Sequence, residues 1–297
     1  MPDPETPLTF HQIHIEVARN ATDDFNPFHD KNKWQHIKHN PFGGAIVLGF
    51  QLKALVEYHT RLHREENDEL QLLDEHHLRF SNYQFTFANA VKCGQEISVD
   101  IKNSHLREGD NTTLSNRVSL RADGKLALLG FKRESQKPLF LPDVDISGLG
   151  DLRRAADRDY LPDTKFFLTR KFMTNSNAKN FLSGSLVEQA DYIDELEDRV
   201  EYPEIFPCAL LSCALLERGV REGHDFERNP MVYTSHKICI DRHLLAKLRS
   251  NDVLNLLVQR VEPFDGEHHY HCYGVVGKHS LLFRALISLI PLEAILG

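Results

Sequence analysis

Two stretches of this sequence repeat the same order of patterns, and this duplication constrains the fold more than any other feature. In the first half, alternating apolar and polar residues at 10–17 precede a polar, turn-rich segment at 20–30. In the second half, a strand-like run at 166–173 precedes polar residues at 174–177. A period of two residues is typical of a half-buried β-strand. Each half is therefore predicted to begin with a strand followed by a polar turn.

An apolar stretch of helical character comes next in both halves. The first covers residues 45–56 and ends in a charged segment at 61–69. Its counterpart covers residues 207–216 and is predicted to end at Gly219. Both stretches are apolar nearly all round, which is typical of a helix wrapped by other structure. We therefore expect one central helix in each half.

Strand patterns separated by turn residues complete both halves. In the first half they lie at 77–88, 96–105, 112–121 and 126–132, and in the second at 232–240, 253–261, 268–276 and 280–289. A strand, a central helix and four antiparallel strands are the element order of a hotdog domain. The predicted fold class is α+β, with two tandem hotdog domains forming a pseudo-dimer. We place the domains at 1–135 and 164–297, joined by a linker at 136–163 with a short helix at 149–158.

Composition and charge narrow the classes of function. The net charge of -8 and the absence of a Lys/Arg block argue against a nucleic-acid partner. Five cysteines without a Cys-x-x-Cys pair argue against structural zinc and a disulfide framework, and no metal site is predicted. The apolar segment 280–297 is interrupted by charges and proline, as in a buried strand rather than a membrane span. No secretory signal is recognisable at residues 1–5, so a cytoplasmic location is expected.

The segment that carries chemistry is residues 24–29, Asp-Phe-Asn-Pro-Phe-His, followed by residues 43–50, Gly-Gly-Ala-Ile-Val-Leu-Gly-Phe. It resembles the signature of MaoC-like, R-specific enoyl-thioester hydratases, in which Asp-Phe-Asn-Pro-x-His precedes the central helix. The resemblance covers about residues 8–133. Two positions depart from the family pattern, because Ala45 stands in place of Pro and Leu48 in place of the His before the helix glycine.

The resemblance implies an acid-base pair and an oxyanion donor. Hydration of a 2-enoyl thioester needs a base for the water that attacks C3 and an acid for the α-carbon. The resemblance gives this work to Asp24 and His29, and it makes the backbone N–H of Gly49 the donor to the thioester oxygen. No cofactor is implied, and the carrier, coenzyme A or acyl carrier protein, is part of the substrate.

Three further residues are assigned to the substrate-binding region, namely Asn26, Gly44 and Leu48. Asn26 is also expected to brace the turn through hydrogen bonds to the backbone. In the second half, residues 175–183 lack the acid-base pair, and there is no histidine between residues 106 and 223. The second half is therefore predicted to complete the fold and to wall part of an acyl tunnel.

Several alternatives stay open at the level of sequence. Asp24 and Asn26 are turn-forming residues, so a purely structural role for this segment competes with the catalytic one. A hotdog acyl-CoA thioesterase and a non-catalytic acyl-thioester binding protein are the competing functions. A double hotdog buries its usual dimer interface internally, so both a monomer and a homodimer are possible.

Overall fold

The computed structural model describes residues 7–264 and 266–296. The elements of the N-terminal half are β1 (Leu8–Thr9), α1 (Gln12–Ala21), α2 (Gly49–Glu66), α3 (Gln71–Glu75), β2 (Phe80–Phe87), β3 (Glu96–Ile101), β4 (His105–Arg107), β5 (Thr113–Ala122) and β6 (Lys125–Ser135). The elements of the C-terminal half are β7 (Asp159–Tyr160), β8 (Phe167–Phe172), α4 (Asn175–Gly184), β9 (Ile193–Asp194), β10 (Arg199–Val200), α5 (Ile205–Ala209), α6 (Leu211–Arg221), β11 (Met231–Asp241), α7 (Arg242–Leu245), β12 (Val253–Arg260), β13 (His268–Val276), β14 (Ser280–Pro291) and α8 (Leu292–Leu296). Short 3-10 helices lie at Pro27–His29, Lys33–His36, Ser147–Leu149 and Glu195–Glu197.

One antiparallel sheet runs through both halves. In the described residues it has 12 strands, in the order β1-β3-β5-β6-β2-β11-β14-β13-β12-β8-β7, with β4 beside β5. Strands β2 and β11 join the halves, pairing from Thr86 opposite Ser235 to Phe80 opposite Asp241. Outward from this pair, the order β2, β6, β5, β3, β1 corresponds to β11, β14, β13, β12, β8. The sheet therefore has the duplication that the sequence predicts.

The central helices lie against the concave core of this sheet. In α2, the eight consecutive residues 50–57 are buried, as expected for a helix wrapped on all sides. The second central helix is divided into α5 and α6 at Leu210. Every helix among residues 7–264 and 266–296 is too short or too polar to span a bilayer.

The prediction of a strand at residues 10–17 is wrong, because most of this segment forms helix α1. Ile13 is 59% exposed whereas Ile15 is fully buried, which a shared strand face would not produce. The buried residues of α1 are Ile15, Ala18 and Ala21, whose spacing places them on one face of a helix. The buried positions of this segment therefore recur with the spacing of a helix, although its apolar and polar residues alternate as in a strand.

Two other expectations are corrected. Helix α6 continues through Gly219 to Arg221, because the missing side chain of Gly219 admits the ring of Phe226, which a Cβ would approach to 2.6 Å. The helix predicted at 149–158 is absent from the described linker, which has only a 3-10 turn at Ser147–Leu149. Instead, the linker buries Ile146 and Leu152 against the outer face of the C-terminal sheet, beside Leu257. The linker is therefore held in place by buried apolar side chains and not by a helix.

Candidate active site

The segment between α1 and α2 is held by its own polar side chains. Asp23 has a positive φ of 53° and reverses the chain after α1. The Asn26 side chain accepts a hydrogen bond from the Phe28 N–H at 3.1 Å and caps the first 3-10 helix. The Asn26 N–H donates to Oδ1 of Asp24 at 3.0 Å. Asn26 thus braces the turn and also orients the Asp24 carboxylate.

Asp24 and His29 lie beside each other in the interior, 2% and 5% exposed. Oδ2 of Asp24 is 4.0 Å from Nε2 of His29. Nδ1 of His29 lies 2.8 Å from the carbonyl oxygen of Ile46. A carbonyl can only accept, so Nδ1 carries the proton and Nε2 of the neutral ring is left as an acceptor facing Asp24. The gap of 4.0 Å exceeds a direct hydrogen bond and suits one bridging water.

Gly49 begins helix α2, where the first backbone N–H groups have no partner within the helix. The N–H of the preceding Leu48 donates to the Gln51 side chain at 3.0 Å. Among the described residues, the Gly49 N–H has no protein acceptor. A Cβ at Gly49 would come within 2.8 Å of the Phe87 ring, so this close approach favours glycine. An unpaired amide at a helix N-terminus is a suitable donor to a developing negative charge.

A cavity of about 290 Å³ lies between the two halves at this position. The predicted site residues that line it are Asn26, His29 and Gly49. Asp24 lies behind His29 rather than on the wall, and Gly44 and Leu48 do not line the cavity. Leu48 is 2% exposed, and its apolar side chain packs in the main core.

Sequence reasoning missed two hydroxyl groups that the C-terminal half contributes. Tyr233 of β11 and Ser212 of α6 both line the cavity, with their oxygens 3.1 Å apart. Burial, together with the nearby Asp24 carboxylate, raises the pKa of the Tyr233 phenol above its ordinary value. The phenol therefore stays protonated and can donate a hydrogen bond into the site. No local motif surrounds either residue, so only the tertiary structure reveals them.

A second buried pair lies beneath the cavity wall. The Lys53 side-chain nitrogen of α2 contacts Nδ1 of His236, and both side chains are fully buried. Lys53 Nζ is also 3.6 Å from the centroid of the Phe50 ring. Burial lowers the pKa of Lys53 well below its ordinary value, so the amine can donate to His236 without a buried charge. This pair links the central helix of one half to a strand of the other.

A second and larger cavity, about 1240 Å³, lies elsewhere between the halves, and several charged residues line it, among them Glu57, Lys132 and Glu204. Oε1 of Glu57 accepts the Glu204 N–H at 2.9 Å, and Oε2 accepts the Ile205 N–H at 3.0 Å. Burial, and then the Glu204 carboxylate, raise the pKa of Glu57 to about 7. Burial opposes ionisation of Glu204 as well, but Lys132 and Arg242 outweigh it and lower the pKa of Glu204 to about 2.

The Glu57→Gln variant is expected to lose a pH dependence of stability. Between pH 4.5 and about 7 the folded protein holds a proton on Glu57 that the unfolded chain releases, so stability falls as pH rises through this window. A shift from 4.5 to about 7 corresponds to about 3 kcal/mol. Urea unfolding at several pH values should show a flatter profile for Glu57→Gln. Glu65→Gln, on the exposed side of the same helix, should keep the profile of the parent.

Comparison with known proteins supports the fold. No protein-family model matches this sequence, and no curated protein matches it either. A MaoC domain dehydratase structure from Chloroflexus aurantiacus is 10% identical, with a TM-score of 0.61 over 96% of this chain and 93% of that one. A double hotdog protein from Mycobacterium tuberculosis is 12% identical, with a TM-score of 0.58 over 97% and 94% of the two chains. A third structure, described as a MaoC-like dehydratase, is 11% identical, with a TM-score of 0.59 over 96% of both chains.

At these identities the likeness shows the fold alone. The chain has a double hotdog fold, α+β, as the Mycobacterium tuberculosis structure is described, and the two dehydratase structures match it over nearly the whole chain. The predicted fold class is therefore confirmed, whereas the exact domain boundaries stay predictions. The class of protein defined by fold and cavity is a double hotdog protein with a cavity between its two halves.

Proposed function

We propose that this protein is a hydro-lyase that adds water to trans-2-enoyl thioesters with R stereochemistry, or removes it from 3-hydroxyacyl thioesters. One observation carries the proposal. Asp24 and His29, both buried, hold acceptor atoms 4.0 Å apart, and His29 lines the cavity together with Gly49, whose N–H has no protein acceptor in the part of the chain that the structure describes. An acid-base pair and an oxyanion donor on one cavity are what hydration requires.

The geometry suggests how the pair handles water. A water between Asp24 and His29 donates one hydrogen to Oδ2 and the other to Nε2, leaving its lone pairs for C3 of the substrate. As the C3–O bond forms, the pair accepts one proton of the water. The pair then returns a proton to C2, so that one water is added across the double bond. The His29 bond to the Ile46 carbonyl keeps Nε2 aimed at the water throughout.

The thioester oxygen needs stabilisation while C2 carries negative charge. The Gly49 N–H at the start of α2 supplies it, aided by the partial positive charge of the helix N-terminus. The Tyr233 hydroxyl is a second donor on the same cavity. The substrate is an acyl thioester of coenzyme A or acyl carrier protein. Action without a cofactor, a cytoplasmic location and a monomeric or homodimeric state remain our predictions.

The proposal is tested by the loss of enoyl absorbance when the purified protein meets 2-enoyl-CoA substrates of increasing chain length. Chiral analysis of the product should give the R-3-hydroxyacyl thioester. Release of free thiol without hydration would instead identify a thioesterase. Stabilisation by acyl-CoA without any turnover, on CoA or on carrier protein, would identify a binding protein and overturn the proposal.

A further inference from the structure

Helix α6 lines the cavity from the candidate acid-base pair to an end where charged side chains lie. Ser212, near the start of α6, shares a hydrogen bond with the Tyr233 hydroxyl. Burial and then the Asp24 carboxylate raise the pKa of that phenol. Leu215 and Leu216 continue the wall. Arg218 follows six residues after Ser212, about 9 Å further along the helix axis. The cavity thus has an apolar middle with hydroxyl groups at one end and a guanidinium at the other.

The Arg218 guanidinium is buried but incompletely paired. The residue is 7% exposed, and its Nη2 donates to Oε1 of Glu222 at 2.7 Å. The same Glu222 oxygen also accepts from the Tyr160 hydroxyl at 2.5 Å. Nε of Arg218 is buried, and within the described residues it has no acceptor. A guanidinium has five N–H donors, and leaving a buried one unpaired costs free energy. Arg218 also lines the cavity, and among the described residues only its Nη2 has an acceptor, so the terminal N–H groups of the guanidinium include donors available to a ligand there.

The electrostatic surroundings of Arg218 favour an anion. Among the described residues that line this cavity, Glu222 is the only carboxylate, and its side chain is 38% exposed, so solvent weakens its field. Arg260 lines the same end and adds a second positive charge. The ring of Tyr270 covers the Arg218 guanidinium at 5.3 Å from its centroid and shields it from water. A partly desolvated arginine with free donors suits a carboxylate or phosphate.

We propose that Arg218 binds an anionic group of the substrate, and that this group is a carboxylate at the far end of the acyl chain. The inference rests on the proposed function and names its substrate class: 2-enoyl thioesters of dicarboxylic acids. The apolar wall formed by Leu215 and Leu216 suits the methylene groups between the reacting carbons and the terminal carboxylate. The buried position of Arg218 favours this source over the phosphates of coenzyme A.

The test compares two substrates of equal length, 2-hexenoyl-CoA and 2-hexenedioyl-CoA, in the parent and in Arg218 variants. The parent should prefer the dicarboxylic substrate in kcat/KM by about 10- to 100-fold, the usual effect of a charge-assisted hydrogen bond. R218Q should abolish this ratio, and R218K should retain part of it because lysine keeps the charge without the planar fork. R221Q removes a charge on the same helix that does not line the cavity and pairs with Asp159, so it should change the ratio less than about twofold.

Phosphate-free N-acetylcysteamine thioesters of the same two acyl groups distinguish the sources of the anion. If the parent still prefers the dicarboxylic acyl group on these thioesters, the result supports binding of the terminal carboxylate by Arg218. If R218Q weakens both CoA substrates equally and leaves the N-acetylcysteamine pair unaffected, Arg218 binds a phosphate and the substrate class is overturned.

Calorimetric binding of the unreactive pair hexanoyl-CoA and adipoyl-CoA separates this inference from the proposed function. If the parent binds adipoyl-CoA more tightly than hexanoyl-CoA and R218Q abolishes this preference, the Arg218 site is supported even when no enoyl substrate turns over. Equal binding of the two by the parent overturns it.

Discussion

The Asp24→Asn variant is expected to lower kcat for 2-enoyl-CoA hydration by about 100-fold or more, the usual contribution of a positioned acid-base group. Asparagine preserves the shape of the side chain, and its carbonyl oxygen can still accept the Asn26 N–H. However, the amide cannot take a proton from a water between Oδ2 and His29, as the proposed mechanism requires. Stopped-flow or steady-state loss of enoyl absorbance measures the effect. KM should change much less than kcat, because Asp24 does not line the cavity.

His29→Ala should cause a comparable loss, and the double variant should be little worse than either single one, because residues that act on one water fail as a unit. Asp23→Asn is the matched carboxylate control, since the Asp23 side chain is 60% exposed and pairs with Lys171 at 3.0 Å. His36→Ala is the matched histidine control, with a side chain that is 63% exposed. Full activity in Asp24→Asn, or equal losses in Asp23→Asn, would refute the assignment of the acid-base pair.

The second large effect is expected on stability, from Gly184→Ala at the end of helix α4. A Cβ there would lie 2.7 Å from the Ala18 nitrogen and 2.8 Å from the His14 carbonyl oxygen, both backbone atoms of α1. The Gln51 side chain also bridges these helices, donating to the Gly184 and His14 carbonyls at 2.6 and 3.1 Å. Overpacking of this kind costs about 3 kcal/mol, which exceeds the gain of about 1 kcal/mol from the better helix propensity of alanine.

Urea unfolding monitored by circular dichroism measures this loss. Gly148→Ala is the matched control, because the nearest atom to its Cβ would be 3.9 Å away. An unfolding free energy equal to the parent's in Gly184→Ala would mean that α1 and α4 separate freely. Since α1 leads directly into the segment with Asp24, a shift of α1 should also lower hydratase activity, which the control variant should retain.

The contact between the two halves contributes to the stability of the fold and to the candidate site. Gly184 and Gln51 hold α1 of the N-terminal half against α4 of the C-terminal half. Tyr233 and Ser212 bring C-terminal hydroxyls to the N-terminal reactive pair. The C-terminal half, which lacks the acid-base pair, therefore does more than line the cavity with apolar residues, because it also supplies polar groups to the candidate site.

Local sequence signals were sufficient for the central helices and the later strands of both halves, and for the choice of segment 24–29 as a candidate site. Alternation over six to ten residues and turn-forming side chains act between near neighbours, so a single chain shows them without its fold. The brace from Asn26 to the backbone is of this kind, since its partners lie within two residues. Where local alternation conflicted with burial, as in α1, the sequence pattern misled, because the buried face depends on what packs against it.

Features that depend on distant residues emerged only from the folded chain. Tyr233 approaches Asp24 across more than two hundred residues of sequence because β11 pairs with β2, and no neighbour of Tyr233 encodes that pairing. Likewise, the exclusion of Gly44 and Leu48 from the cavity follows from how α2 enters the core. The incompletely paired guanidinium of Arg218 lines a cavity to which both halves contribute residues, which the sequence around Arg218 does not show. Such contacts are set by the summed packing of both halves, which local chemistry does not specify.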